Sequence, residues 1–200
     1  LIVLLIALYF LFTKTGYYWD YEVFLQTAEG DFINYYYGYW LLPIFKLLSL
    51  LPFDVSYFLW ILLNVAGVFF AARVFNGNSI VALLSYQMSY SLYWGQISGI
   101  ICGTLGLFWW AIHNKKLHIA GFAILIAAAK PQSGGLFVFL LWILAKTDWK
   151  NKFQALLIPV LGFITSLVLY PGWILDIYSR IGGAYTWGNI TLWQWVGPFS

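Results

Sequence analysis

Asp20, Glu22, Glu29 and Asp31 stand among aromatic side chains in the stretch YYWDYEVFLQTAEGDFINYYYGYWLLPIFKLLSLLPFD, residues 17 to 54. The whole chain has only 7 Asp and Glu, so more than half of its acid is concentrated there and calls for a reason. A carboxylate ringed by Tyr17, Tyr18 and Trp19 can act as a general base towards a sugar hydroxyl. Asp20 is the first choice for that role and Asp31 the second. Asp20 can also be the N-cap of a short amphipathic helix, with Val23, Phe24, Thr27 and Ala28 on one face and Gly30 at its end. Capping and catalysis are compatible. Glu22, in the first turn, complements the helix dipole, and Glu29 and Asp31 read as solvated turn residues on either side of Gly30.

Lys130 is the strongest cation. It closes the apolar run 117 to 129, about 20 Å of helix, which sets its ammonium near the edge of a hydrocarbon layer where an unpaired charge costs about 2.5 to 3.5 kcal/mol or more. It either snorkels to headgroups or partners a lipid-linked phosphate. Pro131 breaks the helix there, and Gln132, Ser133, Gly134 and Gly135 are expected to open backbone donors towards that phosphate. Gln96, after Gly95, offers an amide to a hydroxyl or a phosphate oxygen, and as a Gly-Gln pair it reads equally as an ordinary turn. Arg180 and Lys46 are further anion-binding candidates. His113 and His118 flank Lys115 and Lys116, away from the acid cluster, and read as solvated loop residues. Cys102 is the only cysteine, so no disulfide or cysteine-based metal site arises within the sequence. Asn189-Ile190-Thr191 matches a glycosylation acceptor pattern that is common by chance.

The elements that must hold these residues are set by composition. With 62% hydrophobic and 8% charged residues, the chain has more apolar surface than a water-soluble fold of this length can bury. It is read as an all-α integral membrane protein. The apolar runs are continuous and do not alternate, which favours a helical bundle over a barrel. Tyr and Trp at the ends of the runs mark the interfaces. The net charge of +3 is scattered, and nothing in it suggests nucleic acid as a partner. No Walker loop, Rossmann fingerprint or HExxH occurs, and no internal repeat suggests a secondary transporter.

Apolar runs lie near residues 1 to 13, 39 to 53, 55 to 75, 79 to 94, 97 to 113, 117 to 129, 132 to 146 and 154 to 170. If all of them crossed, the basic loops would share a side with the acid cluster, against the positive-inside tendency. The run 39 to 53 is short, contains Pro43 and Lys46, and stops at Pro52. It is expected to lie along the outer surface. The remaining seven spans then put Arg73, Lys115, Lys116, Lys146, Lys150 and Lys152 on the cytoplasmic side and every carboxylate except Asp148 outside. Outer segments are 14 to 54, the turns at Trp94-Gly95-Gln96 and Lys130-Pro131-Gln132, and the tail 171 to 200. The opening run is shorter than a full span, and the chain stops in the polar, aromatic stretch GNITLWQWVGPFS. The chain is therefore expected to be a single module, 1 to 200, from the N-terminal part of a longer protein.

The order of WDYEVFLQTAEGDF, YYYGYWLLPIF, LPFDVSYFLWILLN, Gly95-Gln96 and AGFAILIAAAKPQ resembles glycosyltransferase family 87 of the GT-C superfamily, from about residue 17 to residue 135. The resemblance implies a polytopic enzyme of about seven transmembrane helices, with interfacial helices and a catalytic Asp in its first outer loop. It also implies transfer of mannose or a related hexose from a polyprenyl-phosphate donor to a lipid or glycan acceptor at the outer face of the plasma membrane. By that resemblance Asp20 matches the loop-one Asp, Gln96 the Gly-Gln turn and Lys130 the Lys-Pro turn. Asp20 is expected to act as base in an inverting displacement, with Lys130 and Arg180 meeting the departing phosphate. Gln96, Gln132, Asp31, Tyr36 and Tyr37 are expected to contact substrate, the aromatic residues from 35 to 40 holding sugar faces and the lipid interface. The donor carries one phosphate and cations are at hand, so no cofactor and no divalent metal is expected. The competing readings are a non-enzymatic polyprenyl-lipid transporter or binding protein and an acyl or phospho-group transferase using the same surface.

Overall fold

The computed structural model describes residues 18–181, and every regular element within them is helical. The apolar run 1 to 13 and the tail from 182 onward lie outside the described residues. Helix α1, Trp19–Ala28, begins after Tyr18, whose backbone is left-handed at φ 53°. Asp20 sits inside the first turn, so its expected N-cap role is corrected: no side chain caps this helix. The reason is tertiary. The Asp20 N–H donates to the Trp94 carbonyl at 3.0 Å, and a distant turn satisfies a donor that a cap would otherwise serve. At the other end the chain turns through Gly30, left-handed at φ 108°.

A 3₁₀ turn, Tyr39–Leu41, leads into α2, Leu42–Ser49. Its 8 residues reach only about 12 Å, too short to cross a bilayer. After Pro52 comes α3, Phe53–Val74, whose 22 residues span about 33 Å. The run 79 to 94, expected as one span, is divided into α4, Ser79–Leu83, and α5, Tyr86–Tyr93. Two side-chain caps fix that break: Asn78 accepts from Ile80 and Val81 N–H, and Ser85 accepts from Met88 N–H at 3.2 Å. There follow α6, Ser98–His113; α7, Leu117–Ala128; a π-helical turn, Pro131–Gly135; α8, Leu136–Leu144; α9, Trp149–Ala155; α10, Leu157–Leu169; and α11, Trp173–Ile181. Among the described residues, α3 and the continuous run Trp149–Leu169 are long and apolar enough to cross a membrane, while Ser98–His113, Leu117–Ala128 and Pro131–Leu144 are shorter apolar helices.

Small residues let the bundle close. A Cβ on Gly103 would come within 2.6 Å of the Gly67 Cα, and one on Gly106 within 2.9 Å of the Ala71 Cα, so α3 and α6 meet backbone to backbone. Helix α7 packs on α6, and α9 and α10 pack on α7. Leu136, Phe137, Phe139 and Leu144 of α8, with Leu157, Leu161 and Val168 of α10, are exposed. Such an apolar surface suits lipid and not water.

Helices α3 and α6 run in the same direction, Gly99 meeting Asn64, Gly103 meeting Gly67 and Gly106 meeting Ala71, and the bundle has two unlike ends. At one, α1 packs on α2 and on the start of α3, with Phe24 stacked on Phe45 at 4.6 Å and Tyr21 against Trp60 at 5.4 Å, and meets the turn before α6. The opposite end carries Arg73, Lys115, Lys116, Lys146 and Lys150, all exposed. Lys152, expected on the same side as these, is buried. Its ammonium donates to the Ile143 carbonyl at 2.8 Å and lies 4.7 Å from the Trp149 ring centre, where cation and ring attract.

Candidate functional site

The turn after α5 is built by local rules and then gripped by α3. Gly95 N–H donates to the Leu92 carbonyl and Gln96 N–H to the Ser91 carbonyl at 2.8 Å, a Schellman ending that requires a left-handed residue. Gly95, at φ 68°, supplies it. From α3, the Tyr57 hydroxyl donates to the Leu92 carbonyl and Trp60 Nε1 to the Gly95 carbonyl at 2.9 Å. One turn on, Asn64 Oδ1 accepts from Gly99 and Ile100 N–H at 2.9 and 3.2 Å. Tyr57, Trp60 and Asn64 are spaced by three and four and therefore share one face. On the far side α1 presses close, since a Cβ on Gly95 would lie 2.9 Å from the Tyr21 Cβ.

Lys130 comes to the same place from α7. Pro131 follows it, and the Lys130 carbonyl accepts from Ser133 and Gly135 N–H at 3.2 and 3.1 Å. The expectation of open backbone donors is thus corrected at Ser133 and Gly135, whose N–H groups are used to close the turn. The Tyr-rich segment is clipped beside it: Gly38 N–H donates to the Ala129 carbonyl at 3.0 Å, and Trp40 Nε1 to the Leu125 carbonyl at 2.8 Å. The Lys130 ammonium donates to Ser98 Oγ at 3.2 Å, and the Ser98 hydroxyl donates to Gln96 Oε1 at 3.1 Å. Lys130 and Gln96 therefore meet through Ser98.

Asp20 faces this cluster. Burial pushes its carboxyl up to about 6, against the opposing pull of Lys130. Burial in turn lowers the Lys130 ammonium, and Asp20 opposes that. Each feels the other's charge, yet among the described residues no ion pair joins them; the hydrogen bond of Lys130 goes to Ser98. Tyr37 completes the group. Its phenol is raised well above the ordinary range, first by burial and then by Asp20, and its ring stands edge-on to Phe24 at 5.0 Å. A carboxylate at about 6 is poised to take a proton near neutral pH.

The other candidates are not gathered there by any contact described. Asp31 is exposed, accepts from Ile33 N–H at 3.0 Å, and lines a cleft of about 760 Å³ with Gly30, Phe32, Ile33, Asp176 and Ser179. A smaller cleft of about 270 Å³ shares Phe32 and Asp176 and adds Tyr39, Tyr170 and Trp173. Neither includes Asp20 or Lys130. Gln132 is exposed and Tyr36 half-buried. Tyr35 is fully buried in the aromatic core and offers no open sugar platform, and Tyr39, also in that core, borders only the smaller cleft. Arg180 lies in the last turn of α11, but its side chain lies outside the described residues. Ser98 and Asn64 are the participants that motif reading passes over. Their signals are slight: a serine two places after Gln96, and one amide inside an apolar run.

A helical bundle with lipid-suited flanks, carrying a carboxylate and an ammonium together at one end, defines a helical membrane protein. Residues 35–200 match Glycosyltransferase family 87, and the chain belongs to that family of membrane glycosyltransferases. No curated protein and no solved structure matches it. The match takes in Tyr36, Tyr37, Gln96, Ser98 and Lys130, whereas Asp20 lies ahead of its first residue.

Proposed function

We propose that this protein transfers a hexose, with mannose the expected sugar, from a polyprenyl-phosphate donor to a hydroxyl of a lipid or glycan acceptor at the outer face of the plasma membrane. The observation that carries this reading is that Asp20 and Lys130 lie near enough to feel each other's charge without an ion pair between them. The acceptor oxygen attacks the anomeric carbon while its proton passes to the Asp20 carboxylate. The bond from that carbon to the phosphate oxygen breaks on the opposite side, and its electron pair leaves with the polyprenyl phosphate, so configuration inverts. Lys130 lies where the leaving charge develops, with Arg180 as a second cation from the tail. The Gln96 amide orients the phosphate or a sugar hydroxyl, and Tyr36 and Tyr37 flank the sugar. Gln132 and Asp31 are assigned to the outer reaches of the acceptor path. In this reading the bundle is a multi-pass unit of about seven spans, with the basic end in the cytoplasm.

The test is Asp20→Asn in the full-length protein. Transfer from polyprenyl-phosphate hexose should fall by about 10²- to 10⁴-fold, the worth of a positioned base, with expression and donor binding intact. Unchanged turnover would remove Asp20 from the mechanism. Loss of donor binding together with turnover would make Asp20 a binding group and not a base.

A further inference from the structure

We infer that Ser98 is the positioning residue of the anion site, aiming both the Lys130 ammonium and the Gln96 side-chain amide at one phosphate. This rests on the glycosyl-transfer reading above. Ser98 accepts from Lys130 at 3.2 Å and donates to Gln96 at 3.1 Å, so one hydroxyl is used in both directions. Because Gln96 Oε1 is occupied by that hydroxyl, its amide NH₂ is turned away from Ser98 and remains a donor. Lys130, held by one N–H, keeps two more. The free donors of the group, the Gln96 amide and the remaining Lys130 N–H groups, suit an anion.

Ser98 can do this because its backbone is fixed. It is the first residue of α6, and the two following N–H groups are clamped by Asn64 Oδ1 at 2.9 and 3.2 Å. Asn64 is fully buried, and its Nδ2 is tied to the Trp60 carbonyl at 2.9 Å. A Cβ at position 99 would lie 2.5 Å from the Asn64 carbonyl oxygen, so glycine is needed for this approach. The clamp also spends the Gly99 and Ile100 N–H groups. Those two N–H groups are therefore not available to a phosphate.

Farnesyl phosphate is the probe, titrated into the purified full-length protein in detergent. Ser98→Ala should weaken its binding about tenfold, the loss expected of one hydrogen bond to a charged group. Ser98→Thr, which keeps the hydroxyl, should restore it. In a Lys130→Ala background Ser98→Ala should cost clearly less than in the wild type, since only its Gln96 arm is left to lose. If Ser98→Ala binds as wild type does, or if its effect adds in full to that of Lys130→Ala, the positioning role is overturned. If the wild type fails to bind farnesyl phosphate, or Lys130→Ala binds it unchanged, the donor-site reading itself falls. Equal thermal midpoints of the wild type and Ser98→Ala tie the loss to the site, and a marked drop that Ser98→Thr does not repair counts against it.

Discussion

Asp20 and Lys130 set each other's charge, and that coupling has a pH signature. A general base works only when deprotonated, so kcat/KM should rise with pH through an apparent value of about 6, the position to which burial pushes the Asp20 carboxyl. Lys130 holds that value down. Lys130→Ala should therefore move the acid limb to higher pH, in addition to any loss of donor affinity, and Asp20→Asn should remove the limb. Tyr37, the other titratable group coupled to Asp20, stays neutral across this window because burial and Asp20 both raise it. A pH–rate profile of the full-length enzyme decides the matter; a limb that stays in place in Lys130→Ala would separate the two groups. The sequence made Asp20 the first choice and Asp31 the second, but it did not place Asp20 beside Lys130. That placement comes from contacts of α1 with the turn after α5, and sequence spacing does not encode these.

The hinge of the site is that turn between α5 and α6. Three side chains of α3 hold it, so its geometry depends on a helix whose apolar content alone suggests a plain span. Asn64→Leu should leave the Gly99 and Ile100 N–H groups without their partner in an apolar interior, at about 1 to 3 kcal/mol for each. Gly95→Ala should strain a left-handed position by about 1 to 2 kcal/mol and push its new methyl onto Tyr21, 2.9 Å from the Cβ. Both variants are expected to lower the thermal midpoint of the purified protein. Gly95→Ala should also lower transfer, because α1 and Gln96 separate. A Gly95→Ala protein with wild-type activity would show that the turn is not what brings α1 to Gln96. The division of 79 to 94 belongs here too. Hydropathy sees one apolar run, whereas two local caps, Asn78 and Ser85, restart the helix twice.

The molecule as a whole has an acidic and a basic end, and its orientation is testable. In full-length protein carrying Cys102→Ser, single cysteines at Glu29 and at Lys115 should react with a membrane-impermeant maleimide from opposite sides, Glu29 from outside. Labelling of both from the same side would overturn the seven-span threading. The sequence by itself determined the solvent and the class: so much apolar side chain demands lipid, and continuous runs demand helices. It also determined the polarity of charge and a short set of candidates, because scarce polar residues in an apolar chain stand out. Only the tertiary structure decided which of them meet. Asp20, Gln96 and Lys130 lie far apart along the chain, and they converge through Gly95, Asn64 and Ser98. Close approach of backbones and hydrogen bonds to distant carbonyls are properties of packed surfaces, and no periodicity along one strand of sequence specifies them.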